Sequence, residues 1–512
     1  MSQSIRRRFA FTLGANLFRA LLSFATGMLL ARWLGPESYG NMAFLLGTFL
    51  GIRQLLDMGS STAFFTFLSQ RLRSKWFVRS FFAWLTLQFF ITICIVGLLF
   101  PSQWVETIWQ GEQRGLVLLA FAAAFMQHSA WPVIQQVGES QRQTVWVQGI
   151  GLAIAMVHLL AVLVLWWSDM LGLYAIFIAI ALEYLLAAIV AQKRFLYAPG
   201  GEDDSEIIGL KPAFGRYFRY CLPLIPYSWA SFAYEFADRW LLQKYGGGVE
   251  QAYYAVGAQF SSIALLATTS ILRIFWKEIA EAHHRGDHER TGMLYRKVSR
   301  LLYLVGAIIA GFFIPWSEDL LRVVLGVAYA GGATTLAIMF LFPVHQSMGQ
   351  IGGTMLFATE RVSIQVVIGI FFMIASIGAS YLVLAPGDAI IPGLGLASEG
   401  LALKMAAMQI ISVNVIAFII ARIWGWAFDW GYQLVSLLGC ILLGWVVKSV
   451  VFNMVGSSGF ELALAMSLAG LLYLLFVALF IYMLPWISGL TRIELVDHSC
   501  KAWRGALRLC RF

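Results

Sequence analysis

Several charged side chains in this chain sit inside long apolar runs: Arg19, Arg53, Asp57, Glu183, Glu235, Asp238, Arg239, Lys404 and Lys448. A charge at bilayer depth costs about 2.5–3.5 kcal/mol on insertion scales, so each needs a reason. Guanidinium groups can hold two phosphate oxygens through parallel hydrogen bonds. Arg19 and Arg53, roughly midway along the first two runs, are therefore candidates for an anion site, with Lys404 a further cation able to line the same cavity. The structural alternative pairs Arg53 with Asp57 one turn on and Arg19 with a neighbouring helix. Glu183 has nothing within a turn to pair with, which suits a carboxylate that takes up and releases a proton, or one that pairs with Arg19 or Arg53. Glu235 and Arg239 have the i, i+4 spacing of an intrahelical ion pair, with Glu in the favourable N-terminal position. Asp238 points elsewhere and is a second carboxylate candidate. Asp57, Glu183, Glu235, Asp238 and Arg239 together form the expected coupling or charge network. His128 and His158 suit hydrogen-bonded packing, and Lys448 suits a side chain that snorkels to the surface.

No catalytic residue is assigned. Cys94, Cys221, Cys440, Cys500 and Cys510 are scattered, with no CxxC and no Cys/His cluster, so neither a disulfide framework nor a metal site is expected. No organic cofactor is implied; H+ or Na+ is the expected coupling ion.

The elements carrying these residues must be membrane helices. The chain has 512 residues, 60% hydrophobic and 12% charged, against roughly 25% charged in soluble domains. Fourteen runs of about 20 residues, enough for a helix to cross the bilayer, lie between residue 9 and residue 482. The first two are 9–32 and 41–68, the sixth 171–191 and the seventh 222–242. Strand-length alternation is missing, and in lipid only helices and closed barrels satisfy their backbone. Arg6, Arg7 and Arg8 precede a first run too long for a signal peptide, so an uncleaved span is expected. The formal charge of +9 falls in short loops, which reads as topology with both termini inside, not as nucleic-acid binding. The implied division is an N-lobe at 1–192, a linker at 193–220, a C-lobe at 221–421, two appended helices at 422–490 and a basic amphipathic tail at 491–512, with membrane lipids as partners. The segment 277–300 is expected to form an interfacial helix.

A weak repeat is visible. Leu30, Arg32, Trp33 and Gly35 match Leu242, Lys244, Tyr245 and Gly247 at a fixed offset, and Tyr39 matches Tyr253 after a small insertion. Paired repeats are a common plan for transporters.

Ala31-Arg32-Trp33-Leu34-Gly35-Pro36-Glu37-Ser38-Tyr39-Gly40 resembles the A-R-x-L-G-P-x-x-Y-G signature of polysaccharide flippases, members of the multidrug/oligosaccharidyl-lipid/polysaccharide (MOP) exporter superfamily. Leu55-Leu56-Asp57-Met58-Gly59 is similar to that family's L-x-D-x-G. Asp238-Arg239-Trp240-Leu241-Leu242 followed by Tyr253-Tyr254-Ala255-Val256 is similar to its D-R-x-L-L…Y-x-x-A. Gly246-Gly247-Gly248 departs from the pattern, which usually has a side chain after the glycine. The resemblance implies an all-α, MATE-like membrane fold with two six-helix lobes in a V around a central cavity. It also implies a Wzx-type flippase of the bacterial inner membrane. Such a flippase carries an undecaprenyl-diphosphate-linked oligosaccharide from the inner to the outer leaflet for surface polysaccharide synthesis, alongside polymerase or assembly proteins. A lipid-free polysaccharide exporter and a cation-coupled multidrug exporter share the fold. A membrane polymerase or ligase, an enzyme, would be expected to carry a larger outside loop.

Overall fold

The computed structural model describes residues 5–70, 75–197, 210–455 and 459–494. Most of the linker's polar stretch and the tail beyond residue 494 lie outside the described residues. The longer helices are α1 (Ile5–Asp57), α2 (Ser60–Gln70), α3 (Lys75–Cys94), α4 (Arg114–Phe125), α5 (Trp131–Ser140), α6 (Thr144–Trp167), α7 (Leu173–Tyr197), α8 (Ile225–His284), α9 (His288–Phe313), α10 (Leu341–Ala358), α11 (Val362–Leu384), α12 (Ala397–Trp424), α13 (Gly431–Val455) and α14 (Gly459–Met483). Among the described residues no strand occurs. The protein is an all-helical, multi-pass membrane protein. Ten helices among the described residues are long and apolar enough to cross a bilayer, or eleven if the bent pair His288–Phe313 and Ser317–Val324 makes one span. The expected seventh span is too charged for that test, because Glu235, Asp238 and Arg239 crowd into it.

At 1.5 Å per residue the 53 residues of α1 would reach about 80 Å, more than twice the ~30 Å hydrocarbon core. The chain solves this with a break at Gly35, where φ is 75° and ψ is 168°. That region is essentially restricted to glycine, and Pro36 then starts the next helical stretch, where its missing N–H costs nothing. α8, 60 residues long, breaks at Gly247 with φ 76° and ψ −173°. Gly35 and Gly247 are the pair aligned in the sequence repeat, so the repeat holds in backbone conformation. The segment 277–300 is not a separate interfacial helix: α8 runs on to His284, a turn at Gly286 follows, and α9 begins at His288, capped by Asp287 accepting from the Arg290 N–H at 2.9 Å.

The chain divides into two compact units. The first comprises residues 1–252 and 373–397, the second 253–372 and 398–512. In the first, α1 packs on α6 and α4, and α4 on α7. Buried Phe44, Phe64, Ile176 and Phe177 fill its interior. The two broken helices touch within this unit. A Cβ on Gly40 would overlap the carbonyl oxygen of Gly248, and one on Gly248 would lie 2.7 Å from Asn41 Oδ1 and 2.8 Å from Glu37 O. Gln243 Nε2 donates to Asn41 Oδ1 at 2.8 Å beside this contact. The departure of Gly248 from the family pattern thus has a packing reason. Replacing Gly40 with valine should destabilise the fold by about 1–3 kcal/mol, the usual range for overpacking, since backbone and not a movable side chain stands in the way. A detergent melt matching wild type would contradict this.

In the second unit α9 is central, packing on α10 and α13, and α13 on α14. Ile279, Leu302, Ile351, Met355 and Ile420 form one apolar cluster, and Trp316, Val447, Ala469, Tyr473 and Val477 another. Lys448 does not snorkel. Its Nζ donates to Asp319 Oδ2 at 2.6 Å and to the Pro315 carbonyl at 2.8 Å, and lies 5.0 Å from the centre of the Trp316 ring.

Candidate functional site in the first unit

The candidate residues gather in the first unit, and small residues make room for the large cations. Arg19, on the first half of α1, lies across from Gly151 of α6, where a Cβ would stand 2.9 Å from Arg19 Nη1 and 3.6 Å from Gln135 Nε2. Its Nη2 donates to Asn16 Oδ1 at 3.0 Å on its own helix. Arg239, on α8, lies against Gly47 of α1, and a Cβ there would overlap its guanidinium. Arg53, on the second half of α1, lines a recess with Phe49, Leu56, Phe121, Phe125 and Ser129.

Two expected pairings do not form. Arg53 makes no ion pair with Asp57, because that carboxylate serves as a cap. Asp57 Oδ1 accepts from the Ser61 N–H at 2.9 Å, Ser61 Oγ at 2.6 Å and Ser60 Oγ at 3.0 Å. The sharp turn through Met58 (φ 45°) and Gly59 (φ 81°) brings α2 onto it. Glu235 and Arg239, despite their spacing, form no ion pair within 4 Å, and Glu235 Oε2 is buried without a hydrogen bond among the described residues. Arg53 and Arg239 instead bear together on His128, and both bear on Glu235. His128 sits in a π-helical turn, Met126–Ala130. Such turns inside α-helical runs recur at functional sites.

Glu183 has a partner that the sequence concealed. His158 Nδ1 of α6 lies 2.9 Å from its Oε2, and the carboxylate side chain is only 7% exposed. Glu183 Oε1 is buried with no hydrogen bond among the described residues. The adjacent Tyr184 hydroxyl is within 3.5 Å of Gln127 Nε2, on the π turn, and in the field of Arg19. Only position midway along two apolar runs hinted at the His158–Glu183 contact; twenty-five residues separate them.

Asp238 is buried, with the Ser380 hydroxyl against its Oδ1. Lys404 belongs to the second unit, on α12, where it is 3% exposed and its Nζ is 3.6 Å from Met405 Sδ.

This geometry leaves Arg53 without an ion pair or hydrogen bond among the described residues, and Arg19 with a neutral amide as its hydrogen-bond partner. A family model described as "Polysaccharide biosynthesis protein" matches residues 5–275, just over half of the chain and the whole of the segment that carries Arg19, Arg53, Glu183, Asp238 and Arg239. The chain belongs to the polysaccharide biosynthesis protein family. No curated protein matches it. Among solved structures, the lipid II flippase MurJ in an inward closed conformation aligns with a TM-score of 0.71 at 15% identity, over 93% of this chain and 99% of that one. An inward-facing multidrug resistance MATE transporter of the MOP superfamily aligns with a TM-score of 0.60 at 14% identity, over 79% and 95%. A MOP superfamily transporter from Pyrococcus furiosus, described as having a binding pocket of reverse polarity, aligns at 0.53 with 13% identity, over 82% and 94%. This member of the polysaccharide biosynthesis protein family therefore has the MOP transporter fold, as the resemblance in its sequence implied.

Proposed function

We propose that this protein is a flippase that carries an undecaprenyl-diphosphate-linked oligosaccharide across the bacterial inner membrane by alternating access, with both termini cytoplasmic. The observation that supports this best is Arg53. On this reading it lies within the membrane, four residues before the end of α1; it faces a recess and has no ion pair or hydrogen bond among the described residues. Leaving a guanidinium unneutralised at this depth is costly, and an anionic substrate that neutralises it during passage gives the cost a purpose. A diphosphate offers the oxygen pairs that guanidinium geometry matches. Arg19 and Arg239 extend the cationic surface of the first unit, and Lys404 is a separate candidate cation within the second. A multidrug exporter handling cations would place carboxylates where this chain places arginines. The membership in a polysaccharide biosynthesis family favours glycan cargo and work alongside a polymerase or other assembly proteins.

H+ is the coupling ion that the His158–Glu183 pair supports. Glu235 and Asp238 complete the charge network around the arginines, while Asp57 caps α2. In inverted vesicles loaded with a lipid-linked oligosaccharide, wild-type transport should respond to an imposed pH gradient. Glu183→Gln should lose that response, because the amide cannot exchange a proton. A variant that follows the gradient as wild type does would remove Glu183 from coupling.

A further inference from the structure

The second unit contains a recess that the transport reading does not use. It is a small recess of about 40 Å³, open on one side, between α9, α10, α12 and the loop before α13. Arg296, Ser299 and Arg300 of α9 form its polar wall, Trp426 and Asp429 its rim, and Met348 part of its apolar floor.

Arg300 is already neutralised. Its guanidinium is held by Asp429, and Nη1 donates to the Trp486 carbonyl at 2.8 Å. Arg296 is different. Among the described residues it has no carboxylate partner, and its contact is the face of the Trp426 ring, 5.7 Å from guanidinium carbon to ring centre. The ring is fixed from behind, since a Cβ on Gly292 would come within 2.7 Å of it. Ser299, 4% exposed, lies near the Tyr295 phenol, and its Oγ makes no hydrogen bond among the described residues. The recess therefore offers one unpaired cation and one under-used buried hydroxyl above an apolar floor.

Its setting identifies the ligand class. Trp424, Trp426, Phe428 and Trp430 follow one another around the end of α12, and Trp430 is 53% exposed. Tryptophans so placed mark the headgroup layer. At the same end of α9, Arg290, Lys297 and Arg300 are paired with Glu278, Glu494 and Asp429, which leaves Arg296 as the cation of this group without a carboxylate among the described residues. Such a cation beside the headgroup layer attracts anionic lipid.

We propose that this recess binds the phosphate of an anionic phospholipid, with Arg296 and Ser299 on the phosphate oxygens and the acyl chains along the apolar side. Asp429 does not oppose this, because Arg300 occupies it.

Native mass spectrometry of the full-length protein, delipidated and then exposed to phosphatidylglycerol, phosphatidylcholine or inorganic phosphate, tests the site. Wild type should retain phosphatidylglycerol in preference to phosphatidylcholine. Arg296→Gln should weaken that retention about fivefold, what one arginine near an anionic surface is worth, and Ser299→Ala should weaken it less. Arg296→Lys should keep most of it, which separates loss of charge from loss of fold, and melts in phosphatidylcholine should match wild type. Equal phosphatidylglycerol retention by wild type and Arg296→Gln would overturn the proposal. So would inorganic phosphate binding as tightly as the lipid, which would make the recess a site for a free anion.

Discussion

Replacing Arg53 with alanine should cut surface-glycan export about a hundredfold while the protein still inserts and folds. A bidentate contact between a guanidinium and a phosphate contributes about 3 kcal/mol, and that is roughly a hundredfold. The structure gives Arg53 no ion pair or hydrogen bond among the described residues whose loss would account for such a drop. Arg53 holds no ion pair, and Asp57, the neighbour that might have needed it, is satisfied by Ser60 and Ser61. Arg53 acts on Glu235 only at a distance, with no ion pair to lose, so the alanine variant should melt close to wild type. Arg53→Lys should retain part of the activity, because an ammonium keeps the charge but not the fork. Glycan measured per folded protein decides it. Normal export by Arg53→Ala would remove this arginine from the substrate path, and a collapse in folded protein would mean that it serves packing.

Lys448→Met should destabilise the second unit by about 1–3 kcal/mol, the cost of leaving a partly buried carboxylate without its hydrogen-bonded partner. Lys448 and Asp319 are 19% and 15% exposed at their side chains. Without the ammonium, Asp319 loses its 2.6 Å partner and the Pro315 carbonyl its donor. The double replacement Lys448→Met with Asp319→Leu should recover most of the loss, because neither charge then remains to be solvated. Thermal melts of the purified protein in detergent compare the three. A single variant as stable as wild type would show that the pair is solvated, not enclosed.

The fold was legible in the sequence where physics acts locally. Low charge and long apolar runs require membrane helices whatever their packing, and the glycine match at Gly35 and Gly247 marked two chain breaks that share one backbone geometry. Much of the site was not legible, because its contacts are set by tertiary approach. Glu183 has no partner in its own helix, and only the packing of α6 on α7 brings His158 to it. The i, i+4 spacing of Glu235 and Arg239 suggested a pair, but Arg239 turns instead onto the space left by Gly47. Asp57 looked like a counterion for Arg53 and is a helix cap, a role its position before Ser60 and Ser61 allowed. Lys448 looked like a snorkelling residue because its partner, Asp319, is far away in sequence.

The meeting of Gly40 with Gly248 also constrains how this chain can drift over time. Neither position can acquire a side chain unless the opposite strand of the contact retreats. Because backbone blocks each site, a side chain at one cannot make room for a side chain at the other, and both should stay glycine. In a set of relatives, both positions should be held as glycine although they lie in different copies of the repeat.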